Sequence, residues 1–262
     1  MPLHQSLLDL AELAPRCSSP ATARGLLTEA QDLTRNALEH RENEVTLAAW
    51  YSRIITDILR SPGVSNELGA VRATGSVALG DATPATSINW LATQDDDSAL
   101  VELFASAGLA AGSVPDATAS RVDAGLPVGI DGEAALLDEA LTQRPPALQL
   151  VNSLPDPEQA VDISAHLLRP IQALARWAAP APRPTPDRLA IGRERELLSD
   201  SDAHTLTLAW GTGMALRMKT WMDHVDGSDL LFGELPPLDR TGYGSACRMV
   251  AEVFDSLSAR ER

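Results

Sequence analysis

The 262-residue chain is nearly devoid of lysine: of its 21 basic residues only Lys219 is one, and the rest are arginine. Amine-nucleophile chemistry is thereby excluded elsewhere, and no glycine-rich stretch carries a phosphate-loop lysine. Aromatic residues make up only 4%, too few for a base-stacking platform. The two cysteines, Cys17 and Cys247, share no spacing motif, which excludes a disulfide scaffold and a cysteine-built zinc site. No window approaches the ~18 uninterrupted apolar residues of a membrane span. Residues 1–13 lack the basic start and long apolar run of a signal peptide, so a cytoplasmic protein is expected.

What is present is ordinary globular composition, 44% hydrophobic and 22% charged, enough to bury a core in one large domain or two small ones. Acidic side chains number 36, giving a formal charge of −15. That balance argues against nucleic-acid and anionic-membrane partners, because a site that tracks phosphates needs a basic face.

Apolar spacing predicts helices over 3–13, 23–38 and 45–59, the last stopped by Pro62-Gly63. Residues 68–74 read as a short strand running into Gly75-Ser76, and Thr86-Ser-Ile-Asn-Trp-Leu-Ala-Thr93 alternates like a second. After Asp95-Asp96-Asp97 comes an apolar helix over 100–107, then a glycine- and proline-rich stretch over 112–132. A helix is predicted around 134–141. From Val161 onward Ile163, Leu167, Ile171, Leu174 and Trp177 share one helical face. Residues 179–186 read as a stiff loop of polyproline character. Further helices follow over 187–198, after a Ser199 or Ser201 cap, and over 238–257. Long helices with short loops predict an antiparallel bundle.

The stretch Thr74-Gly-Ser-Val-Ala-Leu-Gly-Asp-Ala-Thr-Pro-Ala-Thr-Ser-Ile-Asn-Trp90 holds the most chemistry. A strand, a Gly-Ser helix start and a second strand resemble the nucleotidyltransferase frame. There, Gly-Ser backbone N–H groups hold nucleotide phosphate. Two aspartates spaced by one residue on the next strand point to one face and bind catalytic magnesium. The stretch resembles the nucleotidyltransferase family related to the PII uridylyltransferases, in which Gly-Ser is followed by a Gly-Arg-Gly-Glu-like segment and then Asp-x-Asp. The C-terminal part resembles that family's helical substrate-binding domain. Its matching residues are Asp162, Arg169-Pro-Ile171, Ala175-Arg176, Arg188-Leu189, Leu216-Arg217 and Leu238-Asp-Arg240. The helical lead-in over 22–59 fits as well. The resemblance implies an α+β chain with a helical N-terminal lead-in, a small nucleotidyltransferase-like mixed sheet with helices, and a C-terminal antiparallel helical bundle. The expected division is 1–155 and 156–262.

The departures from the family pattern carry the functional expectation. Aligned from Gly75-Ser76, the metal-binding aspartates fall on Ser87 and Asn89. The family's arginine falls on Leu79, and its glutamate becomes Asp81. The later acidic residue, near a Phe-Asp-x-Arg segment, has no clear match around 148–155. Neither Ser87 nor Asn89 supplies the negative charge that magnesium and a triphosphate demand. Asp95-Asp96-Asp97 would restore carboxylates only if the strand were shifted; three successive acids after a strand more commonly form a turn or helix start.

Other candidates have simpler readings beside them. Arg217 and His224 are spaced like a helical-bundle ribonuclease motif, but an ion-paired arginine and a surface histidine are much the better reading, since such pairs arise commonly by chance and the charge disfavours RNA. His166 and Asp162 are one helical turn apart, a local contact without a third metal ligand. Gly211-Thr-Gly213 sits within a helical pattern and suits close helix packing, and Trp177, Trp210 and Trp221 suit a bundle core. Arg169, Arg176, Arg188 and Arg240 are candidates for an anion- or substrate-binding groove if they converge, against a structural ion-pair network.

The expected function is that of a catalytically inactive nucleotidyltransferase-like module with a regulatory role, binding a protein partner or sensing a nucleotide through Gly75 and Ser76, with no cofactor. The alternative is an active nucleotidyl- or uridylyltransferase that modifies a protein, with magnesium held by Asp81 and a carboxylate from another alignment.

Overall fold

The computed structural model describes residues 3–92, 96–146, 148–151, 154–223 and 230–260. It is an α+β chain that forms two compact units. The first comprises Met1–Pro127 with Pro182–Pro184, and the second Val128–Ala181 with Thr185–Arg262.

The first unit opens with α1 (Gln5–Leu13), α2 (Pro20–Glu39), α3 (Glu44–Arg60) and the single turn α4 (Pro62–Ser65). The ends are set by local chemistry. Ser19 accepts a hydrogen bond from the Thr22 N–H with Pro20 in the first turn, and Asn43 accepts from Thr46, each satisfying a donor that the helix cannot. Leu27, Leu47, Tyr51, Ile54, Ile55 and Ile58 are fully buried, and the Trp50 indole donates to the Leu7 carbonyl at 2.8 Å. Gly63 permits the closest approach: a Cβ there would lie 2.1 Å from the Ser19 nitrogen.

Three strands follow. β1 (Ala73–Thr74) pairs antiparallel with β2 (Ile88–Leu91), which pairs parallel with β3 (Ala111–Val114). Between them lie α5 (Gly75–Leu79) and the crossover helix α6 (Ser98–Ala105), as a parallel pair requires. Ile88 and Trp90 face the core, and the Trp90 ring meets Phe104 of α6 at 6.1 Å between centroids. Asn89, on the opposite face, is half-buried.

The glycine- and proline-rich stretch after Gly112 is more ordered than its composition suggests, supplying most of β3 and then α7 (Thr118–Asp123). The strand expected over 68–74 shrinks to its last two residues.

The second unit contains α8 (Ile130–Thr142), a two-stranded ribbon of β4 (Leu150–Val151) and β5 (Leu154–Pro155), α9 (Arg169–Ala178), α10 (Thr185–Glu194), α11 (Asp200–Met222) and α12 (Pro237–Arg260). α11 packs along α12, and α8, α9, α10 and α11 pack in succession. The helix expected near 134–141 thus joins this unit through α9, although the expected division lay at 155/156. Ser199 caps α11 by accepting from Asp202 N–H. A π-helical turn, Ser164–Leu168, precedes α9. Pro170 lacks the N–H that would bond to the His166 carbonyl, and its ring would crowd that carbonyl. The wider turn relieves this: Arg169 N–H donates to the Ser164 carbonyl, five residues back. Leu167 and Leu168 then press on Gly213, where a Cβ would meet Leu168 Cδ2 at 2.8 Å, while Gly211 has open space. Of the three tryptophans expected in the bundle core, Trp210 is buried, whereas Trp177 and Trp221 are only half-buried. Among the described residues, no helix is long and apolar enough to cross a membrane.

Candidate functional site: the Gly75-Ser76 turn

Thr74 ends β1 in an extended conformation, and its hydroxyl donates to the Ser120 carbonyl at 2.6 Å. The chain then turns through Gly75 at φ +60°, a left-handed conformation that glycine adopts without the Cβ penalty. α5 runs only five residues before Gly80, at φ +80°, closes it. Asp81 N–H returns to the Ser76 carbonyl at 2.8 Å. This tight loop holds Ser76 and the buried Asp81 at the two ends of one short turn.

β2 supplies the facing wall. Thr74 lies opposite Asn89 in the ladder, and a Cβ added to Gly75 would approach Asn89 Nδ2 at 3.9 Å. Ser87 donates its hydroxyl to Asn89 Oδ1 at 3.2 Å. Gly75, Ser87 and Asn89 are therefore brought together, on the strand face opposite Ile88 and Trp90. All three are uncharged, so this wall can offer hydrogen bonds to a phosphate or sugar hydroxyl but little charge to a cation. Leu79 is 1% exposed and belongs to the core.

The acidic run after β2 behaves as a helix start. Asp96 accepts from Ser98 N–H at 2.9 Å, a bond that holds its pKa below the ordinary carboxylate value. Asp97 accepts from the Trp90 indole at 3.0 Å. Asp95 lies outside the described residues. Among the described residues, no group of three or more histidine, cysteine or acidic side chains is placed to hold a metal ion.

The four arginines expected to line a groove, Arg169, Arg176, Arg188 and Arg240, all lie in the second unit. Arg169 is exposed and sits 3.9 Å from Asp162. Arg176 is half-buried on α9. Arg188 is fully buried and donates to the Ala181 carbonyl at 2.6 Å. Arg240 donates to the Leu235 carbonyl at 3.1 Å. Arg217 is half-buried on α11, and its spacing partner His224 lies outside the described residues.

Sequence spacing paired His166 with Asp162 but missed its main partner. The His166 ring nitrogen Nδ1 is hydrogen-bonded to the Tyr243 hydroxyl, a contact 77 residues apart in sequence. Burial lowers the His166 pKa; Asp162 opposes that shift and Arg169 reinforces it. Burial also pushes the Cys247 thiol up to about 12, so it stays protonated and inert. Also missed was a polar cavity beside α5, formed from residues that no spacing pattern connects.

Among curated proteins and solved structures nothing matches the chain. Residues 133–260 match the family model described as "Putative nucleotidyltransferase substrate binding domain", which supports a nucleotidyltransferase-like assignment.

Proposed function

We propose that this chain is a nucleotidyltransferase-like protein without metal-dependent transferase activity, acting as a regulatory module that binds a partner protein or senses a nucleotide. The observation carrying this reading is the facing pair Ser87 and Asn89, which hydrogen-bond to each other across the strand face beside Gly75. A transferase of this frame needs two anionic oxygens there to offset magnesium and a triphosphate. The match of residues 133–260 to a substrate-binding domain supports retention of the part that contacts a partner. Gly75 and Ser76 keep the tight turn that would receive a phosphate, and the binding this reading expects needs no magnesium.

The test is a titration of the full chain with ATP, UTP and GTP, with and without magnesium, together with a label-transfer assay on protein and small acceptors. Magnesium-independent binding without transfer is expected. Magnesium-dependent transfer that disappears in Ser76→Ala would overturn the proposal, and would favour the alternative chemistry through Asp81, which is buried beside Ser76.

A further inference from the structure

A cavity of about 300 Å³ in the first unit is lined by Arg60, Arg72, Asp123 and Thr56, with Ala73 and Ala78 among its apolar walls. Arg60 comes from the last turn of α3, and Arg72 immediately precedes β1. Asp123 ends α7 and is 1% exposed. The Arg72 guanidinium is held in place: its Nη1 donates to the Ala124 carbonyl at 3.2 Å. That bond uses one of the five N–H groups of a rigid donor fork. Two guanidiniums against one carboxylate leave the lining with a formal charge of +1. This occurs in a chain whose total is −15, so the pocket is a local exception to the molecule's charge.

We propose that this cavity binds a small oxyanion, a phosphate or a carboxylate, through Arg60 and Arg72. Arginine forks match the planar or tetrahedral oxygens of such groups with charge-assisted hydrogen bonds. The volume falls at the lower end of the range of about 300–1,000 Å³ that small-molecule sites occupy. A phosphate or a small acid suits it better than a whole nucleotide. Thr56 adds a hydroxyl, and the alanines leave room for the ligand. The position gives binding a consequence. Ala73 adjoins Thr74, and Ala78 lies on α5, so an occupant touches both flanks of the Gly75-Ser76 turn. The proposal stands independently of whether that turn binds nucleotide.

Calorimetric titration of the full chain at low ionic strength tests it, with inorganic phosphate, pyrophosphate and citrate as separate probes. Saturable one-to-one binding is expected for at least one probe, and the preference among them distinguishes a phosphate from a carboxylate ligand. Arg60→Gln and Arg72→Gln should each weaken that binding about 10-fold or more, whereas Arg53→Gln, at an exposed arginine of α3 outside the cavity lining, should leave it unchanged. Arg72→Gln also removes the bond to Ala124, so its thermal midpoint is measured alongside. Arg60, exposed at the end of α3, provides the variant that keeps the fold. The proposal is overturned if no probe binds saturably, or if binding survives unweakened in Arg60→Gln. Weakening by Arg53→Gln as strong as that by Arg60→Gln would overturn it too, by reducing the effect to a general loss of positive charge.

Discussion

Replacing Ser87 and Asn89 together with aspartate should convert a magnesium-indifferent protein into a magnesium-responsive one. The two side chains already touch, with 3.2 Å between Ser87 Oγ and Asn89 Oδ1, so two carboxylates there would sit within metal-bridging range. Unit charges about 4 Å apart repel by about 1 kcal/mol in water and about 4 kcal/mol near a protein surface. Ser87 is exposed and Asn89 half-buried, which puts the cost without metal at about 1–2 kcal/mol. A cation that bridges the pair removes this repulsion and adds its own binding energy. At ten times its dissociation constant a ligand stabilises the folded state by about 1.4 kcal/mol, or about 3–6 °C in thermal midpoint for a unit of this size. Scanning fluorimetry with and without 10 mM magnesium, about ten times a millimolar dissociation constant, is the assay. The double variant should melt below the wild type without magnesium and recover with it, while the wild type stays unmoved. The reasoning fails if the wild type gains as much from magnesium as the variant, or if the variant gains nothing.

Three further outcomes follow from the packing. Gly63→Ala places a Cβ 2.1 Å from Ser19 N and 2.3 Å from Ser18 C, backbone atoms that cannot step aside. Urea unfolding should show a loss of at least about 3 kcal/mol, and a loss below about 1 kcal/mol would contradict the packing. Among the described residues the buried Tyr51 hydroxyl has no hydrogen-bond partner, so Tyr51→Phe should stabilise the fold by about 1 kcal/mol; destabilisation by the same measurement would reveal a partner. Burial holds the His166 pKa below its ordinary value, with Asp162 opposing and Arg169 reinforcing the shift. Its ring meets the Tyr243 hydroxyl, which in turn contacts Cys247. The His166 pKa is lower in the folded than in the unfolded chain, so the unfolded chain takes up more protons on acidification. Stability should therefore fall as pH drops below about 6.5, until the folded-state pKa is reached. His166→Gln should flatten that slope, and an unchanged slope would remove His166 as its source.

The helices were legible because their apolar residues keep a 3.6-residue period over many turns, as in α3 and α9. A serine cap at Ser199 or Ser201 and close packing at Gly211-Thr-Gly213 were readable from residue type and position, and the structure selects Ser199 and Gly213. β3 was not, because Ala111-Gly-Ser-Val114 has neither alternation nor bulk; its strand state comes from pairing with β2, across α6. The π-helical turn stayed hidden because Pro170 was read within a continuous helix, whereas the missing N–H acts on the turn before it. At the candidate site, the facing of Ser87 and Asn89 followed from the two-residue period of a strand. The contact between His166 and Tyr243 and the grouping of Arg60, Arg72 and Asp123 did not follow, because folding brings them together from distant elements without a sequence pattern.

The central claim, that the Gly75-Ser76 turn faces a strand without the charge for metal-dependent transfer, is tested most directly by a single-turnover assay. The full chain, in excess over labelled ATP, UTP or GTP, is incubated with 10 mM magnesium and with protein and small-molecule acceptors, and label is followed into both fractions. The account predicts no transfer above the no-enzyme control by wild type and by Ser76→Ala alike. Magnesium-dependent transfer by the wild type that is lost in Ser76→Ala would contradict it.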